Sequence, residues 1–260
     1  MRPLAIIAAV LLPLAASPAI AQETCKLTDL GAAQVATVRD ARTLALADGR
    51  DVRLAGIEAA DESREALQDL VRGRSLRLEG VSTEPDRYGR LVAFAYAGDD
   101  RRSVQQALVE QGQARVAARV GNKACAETFL AAERQARAAN RGLWANPNFA
   151  PLRPDNYARL RADRGLFTIV EGKVLSVRGS GSTIYLNLGR RWTRDFSVIV
   201  LRRNQRIFNA AGLDLKQLEG RRIRVRGWLE QRRGPIIEAS APEQIEFADD
   251  TMTNASGTRQ

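Results

Sequence analysis

The amino-acid sequence predicts a mainly β protein with flanking helices, built as two consecutive small β-barrels. Three observations carry that prediction. Two stretches, residues 31–146 and 166–248, each break into short apolar runs separated by Gly, Asp and Pro turns. A proline-rich, charged stretch, residues 147–165, lies between them. The chain has 260 residues, 45% hydrophobic and 27% charged, which suits a soluble globular protein with room for two cores.

At the N-terminus, Met1-Arg2 carries positive charge, residues 4–16 are apolar, and Ala19-Ile20-Ala21 ends in small residues. This is the layout of a signal peptide spanning residues 1–21, cleaved after Ala21, and it predicts a periplasmic or secreted protein. No other segment is apolar enough to cross a bilayer. The two cysteines, Cys25 and Cys125, would then meet an oxidising compartment, where an even count favours one disulfide. The alternative is a pair of buried thiols. A bridge closing about 100 residues would stabilise by about 4–5 kcal/mol on the chain-entropy model.

Residues 22–146 form the first predicted domain. Short strands with tight turns run from Gln34 to Leu54, and Asp48-Gly49 marks a hairpin. Residues 61–71 predict a helix with Ala66, Leu67, Leu70 and Val71 on one face. Strands follow at residues 75–78 and 91–96, around a polar loop holding Pro85 and Gly89. Ser103 starts a second helix that stops at Gly112. Cys125, Phe129, Ala132, Ala136 and Ala139 form one stripe of a long third helix, ending at Gly142.

Residues 147–165 read as a linker. In the second domain, residues 166–248, five strands are expected at 166–177, 183–188, 195–201, 221–230 and 235–245, with a helical patch near 204–218. Five short strands with one helix in this order suggest a partly open barrel of the OB type. The polar tail, residues 249–260, reads as disordered.

Charge and composition restrict the chemistry. Forty Lys+Arg against thirty Asp+Glu give a net +10, and there is no histidine. Imidazole-based hydrolysis and His-ligated zinc are excluded, and two cysteines cannot build a four-thiolate site. Carboxylates, arginines, hydroxyls or an oxygen-liganded metal must carry any hydrolysis. The basic balance favours a polyanionic partner: nucleic acid or an acidic polysaccharide.

Four blocks bear on the function. They are Val38-Arg39-Asp40-Ala41-Arg42-Thr43-Leu44, then Val52-Arg53-Leu54-Ala55-Gly56-Ile57-Glu58-Ala59-Ala60-Asp61, then Asp86-Arg87-Tyr88-Gly89-Arg90, then Ala132-Glu133-Arg134-Gln135-Ala136-Arg137 with Gly142-Leu143-Trp144. In order and spacing they resemble the thermonuclease (staphylococcal-nuclease-like) family over residues 31–146. The resemblance implies a five-stranded OB barrel with helices packed on it, and calcium-dependent hydrolysis of DNA and RNA. It implies that Arg53 and Arg90 grip the phosphate, where guanidinium forks suit the charge of the transition state. It places Tyr88 beside the substrate pocket.

Three positions depart from that pattern. Arg42 stands where the family has its first metal aspartate. Glu58 stands for the second metal aspartate, a conservative change. Asp61 stands in place of the general-base glutamate, and Ala60 in place of the proline before it. A cation at a ligand position opposes Ca2+, and Asp61 has a shorter reach than glutamate. The bland alternatives are strand-surface roles for Arg53 and Arg90, helix capping by Asp61, a turn role for Tyr88, and a solvent-facing Arg42.

In residues 223–230, Ile223, Val225 and Leu229 alternate with Arg224, Arg226, Trp228 and Glu230. A tryptophan among arginines on an outward face suits a stacking platform for single-stranded nucleic acid, and Arg190, Arg191, Trp192 and Arg194 extend the theme. A merely solvated basic face is the alternative. The expected function is an exported protein that binds nucleic acid or another polyanion through a retained arginine grip, with calcium-dependent hydrolysis weakened. A working endonuclease, needing Ca2+ if active, and an envelope protein-interaction module are the other readings.

Overall fold

The computed structural model describes residues 27–121, 123–191 and 194–248. The signal peptide, Cys25, Trp192 and the tail lie outside the described residues.

The first barrel depends on one long strand. β1 (Thr28–Asp40) pairs through residues 28–34 with β5 (Ser75–Gly80) and through residues 35–40 with β2 (Thr43–Leu46). Register shifts within each pairing let it bend around the core. The sequence signal begins only at Gln34, because Thr28 to Ala33 lack a large alternating apolar set. β2 turns through Asp48, whose carboxylate accepts the Arg50 N–H at 3.0 Å, into β3 (Asp51–Leu54). β3 runs parallel to β6 (Leu91–Ala97), and β6 pairs with β5, closing the barrel in the order β1-β2-β3-β6-β5.

Two short strands leave the barrel and pair with each other: β4 (Ile57–Glu58) and β7 (Arg115–Val116). Three helices pack on this core. α1 (Arg64–Val71) follows a 3-10 turn at Asp61–Ser63 and buries Leu67 and Val71. α2 (Val104–Glu110) starts at Ser103, whose hydroxyl accepts the Gln106 N–H at 3.1 Å. α3 (Lys123–Ala138) stops short of Gly142, because Asn140 already takes a left-handed φ of 50°.

The connecting segment is more than the linker the sequence suggests. α4 (Tyr157–Ala162) lies within it, and Leu152 and Leu160 join the second hydrophobic core. Leu152 also exchanges backbone hydrogen bonds with Ile169 and Glu171, both 2.8 Å. Burying one leucine is worth about 1.5–3 kcal/mol, which fastens the segment to that core.

The second sheet contains β8 (Phe167–Lys173), β9 (Ser176–Ser180), β10 (Thr183–Asn187), β11 (Ser197–Leu201), β12 (Arg222–Gln231), β13 (Pro235–Glu238) and β14 (Ile245–Phe247). α5 (Gln205–Ala210) sits between β11 and β12. Two expected strands are split. Residues 166–177 break at Val174, which turns inward, and 235–245 are interrupted by a 3-10 turn at Pro242–Gln244. The strand path runs β9-β10-β11-β13-β12-β8, with β11 parallel to β13. This is the path of the first barrel with its first strand in two pieces.

The two units meet along α3 and β12, and here an expectation fails. Arg226 is 1% exposed, not on a solvent face. Its guanidinium donates to Glu133 of α3 at 3.0 and 2.8 Å, to the Val116 carbonyl at 3.1 Å, and to Glu246 of β14. Arg224 is also buried and pairs with Glu171 at 2.6 Å. The alternating pattern of residues 223–230 is real, but its polar side faces the first unit. Burial alone would depress the Arg226 guanidinium, yet Glu133 and Glu246 hold it well above its ordinary value. Burial would raise Glu246, but Arg226 and Arg137 keep it below the ordinary carboxylate value. Ala136 and Trp144 of the first unit add an apolar contact with Ile169 of the second.

Among the described residues, no helix is long and apolar enough to cross a membrane.

Candidate functional site

The site grows from one end of the first barrel. The turn between β1 and β2 is held by Asp40, whose carboxylate accepts the Arg42 N–H at 2.8 Å. That turn sends the Arg42 side chain toward β4, where it forms an ion pair with Glu58. Gly56 makes the bend from β3 into β4. It has φ +74°, and a Cβ there would lie 2.9 Å from Val120 and 3.3 Å from Phe129. Its carbonyl also accepts the Ala117 N–H at 2.9 Å, which docks β7. The β4–β7 register then puts Arg115 directly opposite Glu58.

Arg53 sits on β3, across from Thr43 of β2 and beside Val92 of β6. It is half-buried, and its side chain makes no hydrogen bond or ion pair among the described residues. Burial lowers its guanidinium below the ordinary value, and Arg42 and Arg90 push in the same direction, against Glu58 and Asp40. Glu58 shows the complement. Burial pushes its carboxyl up, and the opposing pull of Arg42, Arg53 and Arg115 does not cancel that. Burial likewise lowers Arg115, against Glu133 and Glu58. Several guanidinium groups thus surround one carboxylate.

Arg90 leaves a tight turn in which Gly89 takes φ +77°. Asp86 binds the turn from within. One oxygen accepts the Tyr88 and Arg90 N–H groups at 2.9 and 3.0 Å, and the other accepts the Arg90 guanidinium at 2.9 and 2.7 Å. Although burial would raise Asp86, these bonds keep it below the ordinary carboxylate value. Tyr88 is 65% exposed, with the Arg87 and Arg90 guanidiniums each 4.8 Å from its ring centre.

The remaining expected residues fall elsewhere. Asp61 is exposed at the start of its 3-10 turn, and Ala60 holds the capping position without a side-chain bond. Arg224 and Arg226 are buried at the seam, while Trp228 is 48% exposed. Cys125 is buried on α3, and its expected partner Cys25 lies outside the described residues. Arg115 was not legible in the sequence, because nothing marks a two-residue strand among so many arginines. Glu133 was visible within a motif, but not as a buried anchor. Among the described residues no three Asp, Glu or Cys side chains group as metal ligands.

Residues 49–146 match the family model described as staphylococcal nuclease homologue. These residues are a staphylococcal nuclease-like domain. Arg53, Glu58, Asp61, Tyr88 and Arg90 lie within the matched residues; Asp40 and Arg42 precede them. Two curated proteins of Oryza sativa subsp. japonica are similar to the chain. "Probable staphylococcal-like nuclease CAN2" is 32% identical over 115 residues, covering 42% of this chain and 29% of that protein. "Probable staphylococcal-like nuclease CAN3" is 31% identical over 115 residues, covering 42% and 28%. The matched part therefore spans less than a third of either relative. The closed five-stranded barrel with packed helices is the OB fold of the staphylococcal nuclease domain.

Proposed function

We propose that the staphylococcal nuclease-like domain binds the phosphates of nucleic acid through Arg53, supported by Arg42 and Arg90, and that Ca2+-dependent hydrolysis is weak. The observation that carries this reading is the Arg42–Glu58 ion pair. In this family's pattern both positions are metal carboxylates. Here one is a guanidinium and the other is paired with it.

The donor set does not suit Ca2+. A hard cation of this size takes six to eight oxygen ligands, several of them anionic. The oxygens near Arg42 include Glu58, already paired, Asp40, already bonded to the Arg42 N–H, the Ile57 carbonyl at 3.5 Å, and the Thr43 hydroxyl, buried with no partner among the described residues. Arg53 and Arg115 add positive charge beside them. No catalytic step is therefore assigned to a metal. Arg42 supplies a fixed positive charge where the family uses a bound cation. Arg53, with no protein partner among the described residues, is the guanidinium available to a phosphate. Arg90, braced by Asp86, is preorganised beside it.

Export to an oxidising compartment, with a Cys25–Cys125 bridge, belongs to the same reading. The signal-peptide pattern of residues 1–21 and the two cysteines support it. An OB-like assignment of the second unit is supported by its strand path.

The test is binding of a labelled single-stranded oligonucleotide in EDTA. The unmutated protein should bind with an affinity that falls steeply as salt rises. Arg53→Ala should weaken binding by on the order of tenfold, in line with about 1.5–3 kcal/mol for a charged hydrogen bond. Equal affinity of the two proteins in EDTA would reject the arginine grip.

A further inference from the structure

We infer that the seam between the two units is a composite site for single-stranded nucleic acid, in which Trp228 stacks a base and the arginines of the first barrel hold the adjoining phosphate. The inference rests on the phosphate grip proposed above and extends it to the second unit.

Two cavities of about 370 and 360 Å³ open along the seam, and both are lined by Glu58 and Trp228. Glu58 belongs to the candidate site of the first barrel; Trp228 stands on β12 of the second sheet. Trp228 thus borders the cavity that Arg42 and Arg115 also line.

Its surroundings hold it in position. β12 pairs Trp228 with Phe167 of β8, and the two rings meet edge to face at 6.1 Å and 75°. Arg115 also packs on Phe167, its guanidinium 5.0 Å from that ring and 5.3 Å from the ring of Phe149. Arg115 also donates to the Phe167 carbonyl at 3.1 Å. A row therefore runs from Glu58 through Arg115 and Phe167 to a half-exposed indole. A large aromatic left open beside a charged cleft is what base stacking needs, and every base has a π-face to offer.

Charge is divided between the two cavities. The first carries Arg42, Arg115 and Arg159 against Glu58 and Asp163. The second carries Glu58, Glu230 and Glu238 with Arg119, and Arg232 pairs with Glu230 and Glu238 at 3.2 and 3.3 Å. Trp228 sits where they meet. A ligand with an anion at one end and a neutral ring bearing N–H donors at the other fits both halves, and a nucleotide is such a ligand.

The test uses the full mature chain and two probes, a short labelled oligothymidylate and an abasic strand of equal length and charge. The unmutated protein should bind the thymidylate on the order of tenfold more tightly, the size expected for base–aromatic stacking. Trp228→Leu keeps an apolar partner for Phe167 and should abolish the difference; Trp228→Tyr should preserve it. Arg53→Ala should weaken both probes alike and leave their ratio unchanged. If Trp228→Leu keeps the full ratio while Arg53→Ala weakens binding, the stacking site is wrong and the phosphate grip stands. If neither probe responds to Arg53→Ala, the underlying grip is wrong. Tighter binding of heparin than of thymidylate, lost in Trp228→Leu, would overturn the base in favour of a sugar. Should Trp228→Leu fail to fold, tryptophan fluorescence of a Trp192→Phe variant, in which Trp144 is buried and Trp228 half-exposed, decides. Quenching by thymidylate but not by the abasic strand supports the site, and no quenching overturns it.

Discussion

Truncating Arg226 to alanine should cost about 3–5 kcal/mol of stability, the range for removing one partner of a buried ion pair. The reason is what remains behind. Glu133 has no exposed side-chain surface and Glu246 has 7%, so both carboxylates lose their main counter-charge in place. The Val116 carbonyl loses a donor as well. Against the 5–15 kcal/mol typical of a whole protein, that is a large fraction. The assay is urea denaturation at neutral pH, followed by far-UV circular dichroism. Because Arg226 ties α3 to β12, loss of the pair should also separate the melting of the two units, seen as a broader transition with a lower apparent slope. The pH dependence has a definite sign. Glu246 is depressed below 4.5 when folded, so its contribution in the unmutated protein is present above that value and is lost as pH falls through the folded value. In Arg226→Ala the penalty should shrink on acidification, as the stranded carboxylates accept protons. The triple change Arg226→Met, Glu133→Gln, Glu246→Gln should recover most of the loss, since the charges vanish together. A loss below about 1 kcal/mol for Arg226→Ala alone would refute the picture of a fully desolvated pair.

Other outcomes follow from the same structure. Glu58 titrates above the ordinary carboxylate value, so it gains its proton early as pH falls from neutral. Protonation releases Arg42 and removes a negative charge, so oligonucleotide affinity should rise as pH drops toward that range. Glu58→Gln should flatten the profile, and an unchanged profile in that variant would assign the effect elsewhere. For the cysteines, intact protein from the cell envelope should begin at Gln22 and carry no alkylatable thiol until reduced. Reduction should then destabilise it by about 4–5 kcal/mol, and ready alkylation of Cys125 in unreduced, denatured protein would exclude the bridge.

What the sequence showed and what it hid have physical causes. The helix at Asp61–Val71 and the stripe through Phe129 and Ala136 were legible because an amphipathic period survives in the local sequence. Arg42, Arg53 and Glu58 stand at one barrel end because two short motifs fix turns, and turns fix where the next side chain goes. β1 was read too short, since its first half satisfies β5 through backbone bonds without large side chains. Alternation distinguishes two faces without saying what covers each, so the sequence alone puts Arg224 and Arg226 on a solvent face. Only the packing of α3 against β12 shows that the arginine face is a seam. Leu152 and Leu160 were hidden in a stretch whose composition reads as a spacer, because two leucines among charges have no detectable period. Arg115 depends on a two-residue strand pairing set by Gly56 and Ala117, a contact distant in sequence.

The measurement that bears most directly on the arginine-for-metal reading is Ca2+ titration calorimetry of the mature protein beside Arg42→Asp, with plasmid cleavage followed in the same samples. At an effective dielectric of about 20, a unit charge at 4 Å acts with roughly 4 kcal/mol, and this exchange reverses one charge beside Glu58. The predicted result is no saturable Ca2+ binding below millimolar concentration in the unmutated protein and a measurable site in Arg42→Asp. Cleavage should recover less than binding, because Asp61 is short for a base. Tight Ca2+ binding with efficient cleavage by the unmutated protein would contradict the account, showing that Arg42 yields its position to the metal and that the domain is a working nuclease.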